Sequence, residues 1–379
     1  MHVFAAVTLA AILGGSSAPT PIYHLYQESW DLAPVMLTVI FSVYALVLLA
    51  ALLTAGSLSD YVGRRPVLCA GLILSVVSMA LFVAADSAGW LIGARAVQGL
   101  AAGILSSTLG ATLIDTNARM GPLVNSTTPL LGMSVGALGS SALVTYAPNP
   151  TALVYEILLA LFLVLAILVW WMPETAQRKS GALSSLRPYV AVPMQARAAL
   201  WRVTPSNIAN WSLGGFYLSL MPSLLRVATG LDSPFVGGGI VALLTLSGAG
   251  GILIARHWPP HRILITGTST VAAGVAITLY GVSSQMVPLL ILGTFIAGLG
   301  FGSSFYAATR TIMPLAGPTE RAGLLAAFFL QSYLAFSLPV IVLGLLTPTL
   351  GLINATYLYG AIVILLVLIS LTATLAARR

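Results

Sequence analysis

Twelve apolar runs of membrane-crossing length dominate this chain. They fall at roughly 3–26, 34–57, 67–86, 89–114, 127–147, 152–172, 203–225, 234–255, 262–283, 287–310, 321–346 and 353–376. A helix rises about 1.5 Å per residue, so about 20 apolar residues cross about 30 Å of hydrocarbon. Inside that layer the backbone must satisfy its own N–H and C=O groups, and runs of this length do so as helices. The breaks between runs carry Gly, Pro, Asn and charge, which turn or stop a helix. The expected fold is therefore an all-α polytopic membrane protein of twelve spans. The first run lacks a basic start and continues through Pro19, Thr20, Pro21 and Tyr23, so it reads as a span and not as a cleaved signal.

Charge sets the topology. Only 7% of the 379 residues are charged and 58% are hydrophobic. A water-facing surface carries about 25% charge, so most of this surface must face lipid. A net charge of +7 would suggest nucleic acid in a soluble protein. Here the basic residues gather in the breaks, and no nucleic-acid partner is expected. With both termini cytoplasmic, the inside segments hold Arg64, Arg65, Arg119, Arg178, Lys179, Arg187, Arg197, Arg202, Arg256, Arg262, Arg310, Arg321, Arg378 and Arg379, which is 14 of the 16 basic residues. Arg95 and Arg226 fall elsewhere, and Glu28, Asp31, Asp86 and Asp232 lie in the opposite loops. One missed span would invert every later loop, so this bias supports both the count and the orientation. The single cysteine, Cys69, excludes an intrachain disulfide and says nothing about compartment.

The longest polar stretch, roughly 173–202, follows the sixth run and holds Pro173, Gly181, Pro188 and Pro193 with five basic residues. The expected organisation is a six-helix bundle over 1–175, a cytoplasmic linker over 176–202 and a second six-helix bundle over 203–379. The linker is either a solvated loop or a segment lying partly on the membrane surface.

Between the second and third runs stands Gly56-Ser57-Leu58-Ser59-Asp60-Tyr61-Val62-Gly63-Arg64-Arg65-Pro66. Gly56 and Gly63 permit tight turns. Pro66 suits the first turn of a helix. Asp60 and Arg64 are charges at the membrane edge, where they need partners or water. The stretch resembles the signature loop of the major facilitator superfamily, Gly-x-Leu-x-Asp-x-x-Gly-Arg-Arg/Lys. Gly56, Leu58, Asp60, Gly63, Arg64 and Arg65 match it, in the expected place after span two. The resemblance, closest in kind to bacterial drug exporters, implies two six-helix bundles that alternate in access. It also implies a conformational latch. Asp60 would cap the N-terminus of span eleven near Gly323, and Arg64 would pair with Asp115 at the cytoplasmic end of span four.

Further elements extend the resemblance. Arg95, Gln98 and Gly99 resemble the family's Arg-x-x-Gln-Gly element in span four. An Arg within a span costs about 2.5–3.5 kcal/mol on insertion scales, so it should face protein or a cavity. Arg95 is either a substrate anchor or part of a proton path, or it snorkels or bonds backbone carbonyls. Glu156 lies at a similar depth in span six, so an Arg95–Glu156 pair is one expectation and a proton site at Glu156 another. His24, beyond the Gly/Pro break of span one, is a further proton or substrate candidate. Span five carries Gly132, Gly136 and Gly139 at packing spacing. It resembles the family's antiporter element except that Ala137 replaces Pro and Ser140 replaces the last Gly, which weakens an antiport reading. Pro173-Glu174-Thr175 closes span six, as in many members. The loop from Arg256 to Arg262 should hold a second copy of the signature but keeps only its positive charge.

The family places its ligand near the midplane between the bundles. Candidate lining residues are Tyr23, Tyr44, Asn207, Asn210, Trp211, Tyr217, Phe301, Phe305 and Gln331, each of which alone also fits ordinary packing. An aromatic, amide-bearing, charge-poor lining suits an apolar or amphipathic compound. No acid lies in the middle third of any span. The expected function is non-enzymatic: a secondary active transporter exporting a small amphipathic compound in exchange for protons. It would act as a multi-pass monomer of the bacterial inner membrane, with no cofactor and no metal. The alternatives are a facilitator or proton symporter for metabolite uptake, and a membrane receptor without transport.

Overall fold

The computed structural model describes residues 1–317 and 319–376, all of them helical or loop. Arg378 and Arg379, counted above among the cytoplasmic charges, lie outside the described residues. The first half comprises α1 His2–Ser17, α2 Tyr23–Trp30, α3 Pro34–Ala55, α4 Ser59–Val62, α5 Arg64–Val83, α6 Ala88–Thr116, α7 Gly121–Tyr146 and α8 Pro150–Leu168. The second comprises α9 Met194–Ser219, α10 Met221–Thr229, α11 Pro234–Ala255, α12 Pro260–Ser283, α13 Val287–Ile312, α14 Arg321–Leu350 and α15 Leu352–Ala376.

Among the described residues, eleven helical segments are long and apolar enough to cross a membrane. The expected seventh span corresponds to α9, which has ample length at 26 residues. Arg197, Arg202, Asn207 and Asn210 make it more polar than its neighbours, and packing rather than hydropathy holds it, since 207, 210 and 212–219 are all buried. Span one is broken. Pro19 and Pro21 lack N–H donors, and a 3-10 turn over Thr20–Ile22 carries the chain from α1 into α2.

Two compact units divide between Tyr189 and Val190. The division falls inside the segment expected as linker (176–202), and from Met194 that segment is already α9. In the first unit α1 packs on α7 and α6, α3 and α5 pack on α6, and α8 packs on α5. In the second α9 packs on α14 and α13, α11 and α12 pack on α13, and α15 packs on α12. Counted by span, five pairings recur in both: first with fifth and fourth, second with fourth, third with fourth and sixth; the second unit also packs its first span, α9, closely on its sixth, α15.

Lipid tails are as apolar as a protein core, so helices associate through close packing. Gly103 of α6 sits where a Cβ would stand 2.6 Å from the Leu48 carbonyl of α3. Its counterpart in the second unit is Gly298 of α13, where a Cβ would stand 2.6 Å from the Leu244 carbonyl of α11. The outward faces are apolar. On α8, Ile157, Leu161, Val164 and Leu168 are each at least 37% exposed and recur every three to four residues, a stripe suited to hydrocarbon.

Candidate functional site

The signature loop runs from the end of α3 through α4 to the start of α5. Gly56 ends α3, α4 makes a single turn, and Gly63 follows at φ 103°, a backbone region that side chains rarely adopt. A Cβ at Gly63 would stand 2.8 Å from Glu174 Oε2, so this glycine also admits the Glu174 carboxylate. Glu174 Oε1 accepts the Arg64 N–H at 2.8 Å, and Oε2 accepts the Arg65 N–H at 3.0 Å. These are orphan donors at the start of α5, where a carboxylate also meets the positive end of the helix dipole. Thr175 and Ala176 donate their N–H groups to the same carboxylate at 3.0 and 3.1 Å. Partial burial by itself would raise the Glu174 pKa, but the four backbone donors together hold it below the usual 4.5.

The Arg64 side chain, only 7% exposed, gathers the remaining charges. Its Nη1 donates to Asp60 Oδ1 at 2.5 Å and to Ser59 Oγ at 2.7 Å, and its Nε donates to Asp115 Oδ2 at 3.1 Å. Arg64 and Asp115 are thus in contact, with Asp60 on the same guanidinium. Thr175 Oγ1 also donates to Asp115, at 3.4 Å. Arg65 donates to the Trp170 carbonyl and lies 5.5 Å from the centre of the Trp170 ring. The start of the linker docks on the same loop, with the Lys179 N–H on the Tyr61 carbonyl at 2.9 Å and Ser57 Oγ on the Ser185 carbonyl at 3.2 Å. Sequence reasoning missed Ser59 and gave Glu174 no role. The one available signal was the Pro173-Glu174-Thr175 turn.

Arg95 is fully buried on α6. It donates to the Tyr23 hydroxyl, to the Ser16 carbonyl at 3.0 Å and to Gln98 Oε1 at 2.7 Å. Gln98 in turn donates to the Gly15 carbonyl at 2.9 Å. The carbonyls freed where span one breaks are therefore satisfied from α6. The guanidinium also lies 5.3 Å from the ring centre of Tyr44 and 6.0 Å from that of Phe82. No carboxylate pairs with it among the described residues, so hydrogen bonds and ring faces carry the cost of burying its charge.

The expected Arg95–Glu156 pair does not form. Tyr155 is buried and stacks on Phe82 at 4.5 Å, which turns the next residue of the helix outward. Glu156 is exposed beside Ile157. His24, one residue beyond Tyr23, is half-buried.

In the second unit the candidate residues of α9, α13 and α14 meet one another. Asn207 donates to Ser332 Oγ at 2.8 Å and Asn210 to Ser304 Oγ at 2.6 Å. Tyr217 and Thr294 share a hydrogen bond of 2.9 Å, and Thr204 donates to Gln331 Oε1 at 2.9 Å. Half-buried Trp211 has Tyr333, Phe336 and Phe305 around it at 4.8, 5.6 and 5.8 Å between ring centres. Phe301 lies against Gly214 of α9. Asn207, Asn210 and Tyr217 are almost wholly buried, so they pin helices together, while the Trp211 cluster retains accessible ring surface.

A sequence profile of the Major Facilitator Superfamily matches residues 4–338. The chain belongs to this superfamily. Members move small molecules across membranes, and this chain is accordingly a multi-pass membrane transporter rather than an enzyme. Among its relatives is the multidrug resistance protein MdtL of Klebsiella pneumoniae, 25% identical over 285 residues and covering 70% of this chain and 69% of MdtL. Another is the multidrug efflux pump LfrA of Mycolicibacterium smegmatis, 27% identical over 383 residues and covering 84% of this chain and 73% of LfrA. Two crystal structures share the fold. The human organic anion transporter MFSD10 (TETRAN) has a TM-score of 0.69 at 17% identity, with 97% of each chain covered. The nucleoside transporter NupG has a TM-score of 0.74 at 13% identity, with 98% of each covered.

Proposed function

We propose that this superfamily member exports a small amphipathic compound across the bacterial inner membrane, in exchange for protons, with both termini cytoplasmic. The observation that carries export is the kinship with MdtL and LfrA, both named for multidrug resistance or efflux. The accessible aromatic surface around Trp211, with few charges nearby, fits such a substrate. The signature loop supports alternating access. Arg64 carries Asp60 at its side, and Asp60 stays half-exposed, in keeping with a latch residue that changes partner between two states.

The second reading is uptake by a facilitator or symporter. It is favoured by the outward position of Glu156, by the absence of a carboxylate partner for Arg95 among the described residues, and by Ala137 and Ser140 in the span-five element.

Everted vesicles with an acid lumen and a pH-reporting dye separate the two. Amphipathic cations and neutral drugs should trigger proton release from the lumen, and Asp60→Asn vesicles should not respond. Silence towards every drug, together with uptake of a labelled metabolite by intact cells, would overturn export.

A further inference from the structure

The second-half loop that lost the signature pattern has acquired a cavity. It lies at the start of α12, measures about 280 Å³, and is lined by Trp258, Arg262, Ile265 and Thr266. Arg310 of α13 fastens the loop that carries Trp258. Its Nη1 donates to the carbonyls of Arg256 and Trp258, both at 3.1 Å, and its guanidinium lies 5.4 Å from the Tyr306 ring centre. In the first-half loop Arg64 is neutralised by Asp60 and Asp115. Here Arg256, Arg262 and Arg310 form no ion pair among the described residues, and Glu320 is occupied by Gln195 and the Gly317 N–H. The Arg262 side chain is exposed at the cavity and has no hydrogen-bond partner among the described residues. Ile265 and Thr266 follow it by three and four residues on the same helix face. Trp258 is 41% exposed, an amphipathic ring of the kind that sits at headgroup level.

We infer that this cavity binds the phosphate headgroup of an anionic phospholipid from the leaflet on the basic side of the membrane. Arg262 takes the phosphate, Trp258 stands at the headgroup and Ile265 meets the first methylenes of the chain. A cation beside an apolar wall at a membrane edge recognises a lipid where a cation alone would attract any anion. The degenerate second copy of the signature thus serves as a lipid anchor beside α12 instead of a latch.

The test is native mass spectrometry of the delipidated full chain, titrated with phosphatidylglycerol or phosphatidylcholine. One phosphatidylglycerol should be retained about tenfold more tightly than phosphatidylcholine, a difference of about 1.4 kcal/mol. Arg262→Gln should abolish the preference, Arg262→Lys should keep most of it, and Trp258→Ala should weaken both lipids. Arg119→Gln, at a basic loop of the first unit, should leave it intact. Equal retention of the two lipids, or an equal loss in Arg119→Gln, would overturn the inference. Displacement of the lipid by inorganic phosphate would also overturn it in favour of a soluble anion.

Discussion

Arg64 answers to two carboxylates at once, and that is a task for a planar fork. Its Nη1 and Nε point in different directions, to Asp60 and Asp115. A lysine is a single flexible point charge and cannot hold both. Arg64→Lys should therefore weaken the loop by about 1–3 kcal/mol and slow transport in the vesicle assay far more than it lowers membrane-inserted protein. Equal losses in both would mean that Arg64 is only structural. Glu174 acts on the same loop through the backbone. Glu174→Gln removes the charge from a helix cap and should cost about 1 kcal/mol, read as a lower midpoint in detergent. Because the folded-state pKa of Glu174 lies below the usual 4.5, its stabilisation is complete above that value and fades as pH falls through the lowered pKa. Wild-type protein should lose this increment on acidification below the normal carboxylate range, and Glu174→Gln, having none to lose, should not. The increment is small because the carboxylate is largely exposed to water.

At the scale of helices, the span-five glycines act as a contact surface between α7 and α1. A Cβ at Gly132 would stand 2.7 Å from the Ala10 Cα, and one at Gly136 would stand 2.6 Å from the Gly14 Cα. Ser140 Oγ, where the family element has glycine, donates to the Ala18 carbonyl at 2.5 Å, and Ser17 Oγ donates to the Met133 carbonyl at 2.8 Å. The departure at Ser140 therefore supplies a hydrogen bond to the broken part of span one. Gly136→Val should force α1 and α7 apart and cost about 1–3 kcal/mol by overpacking. Gly139→Ala has nothing within 4 Å of the added Cβ and should leave the melting midpoint level or slightly raised. If both variants melt alike, the close approach of α1 and α7 does not stabilise the unit. The same five pairings in both units were hidden in the sequence, because apolar runs do not record which helix faces meet; Gly103 and Gly298 are matched only once each is seen against its neighbour, α3 or α11.

For the molecule as a whole, the proposed orientation makes a direct prediction. On a Cys69→Ala background, Arg119→Cys should react with an impermeant maleimide only in everted vesicles, and Ser29→Cys only in intact cells. The reverse pattern would invert the topology and with it the proposed direction of export. Much of this architecture was legible in the sequence. The apolar runs are set by the thickness of hydrocarbon, the basic loops by the asymmetry of insertion, and the signature loop by six residues at fixed spacing. Those features determine how deep each residue lies along its helix. They do not determine which way it faces. In water, hydrophobicity separates core from surface, but in a bilayer both faces of a helix are apolar and the rotation about its axis leaves little trace in composition. Arg95 and Glu156 were placed at matching depth, and only the packing of Tyr155 on Phe82 turned one inward and the other out. Glu174 on the start of α5, Tyr23 on Arg95 and Arg310 over the Trp258 carbonyl are likewise contacts between segments far apart in the chain. The sequence by itself determined the helical, membrane-crossing character of the chain and its family. The tertiary structure decided their facing, and with it which charges have partners.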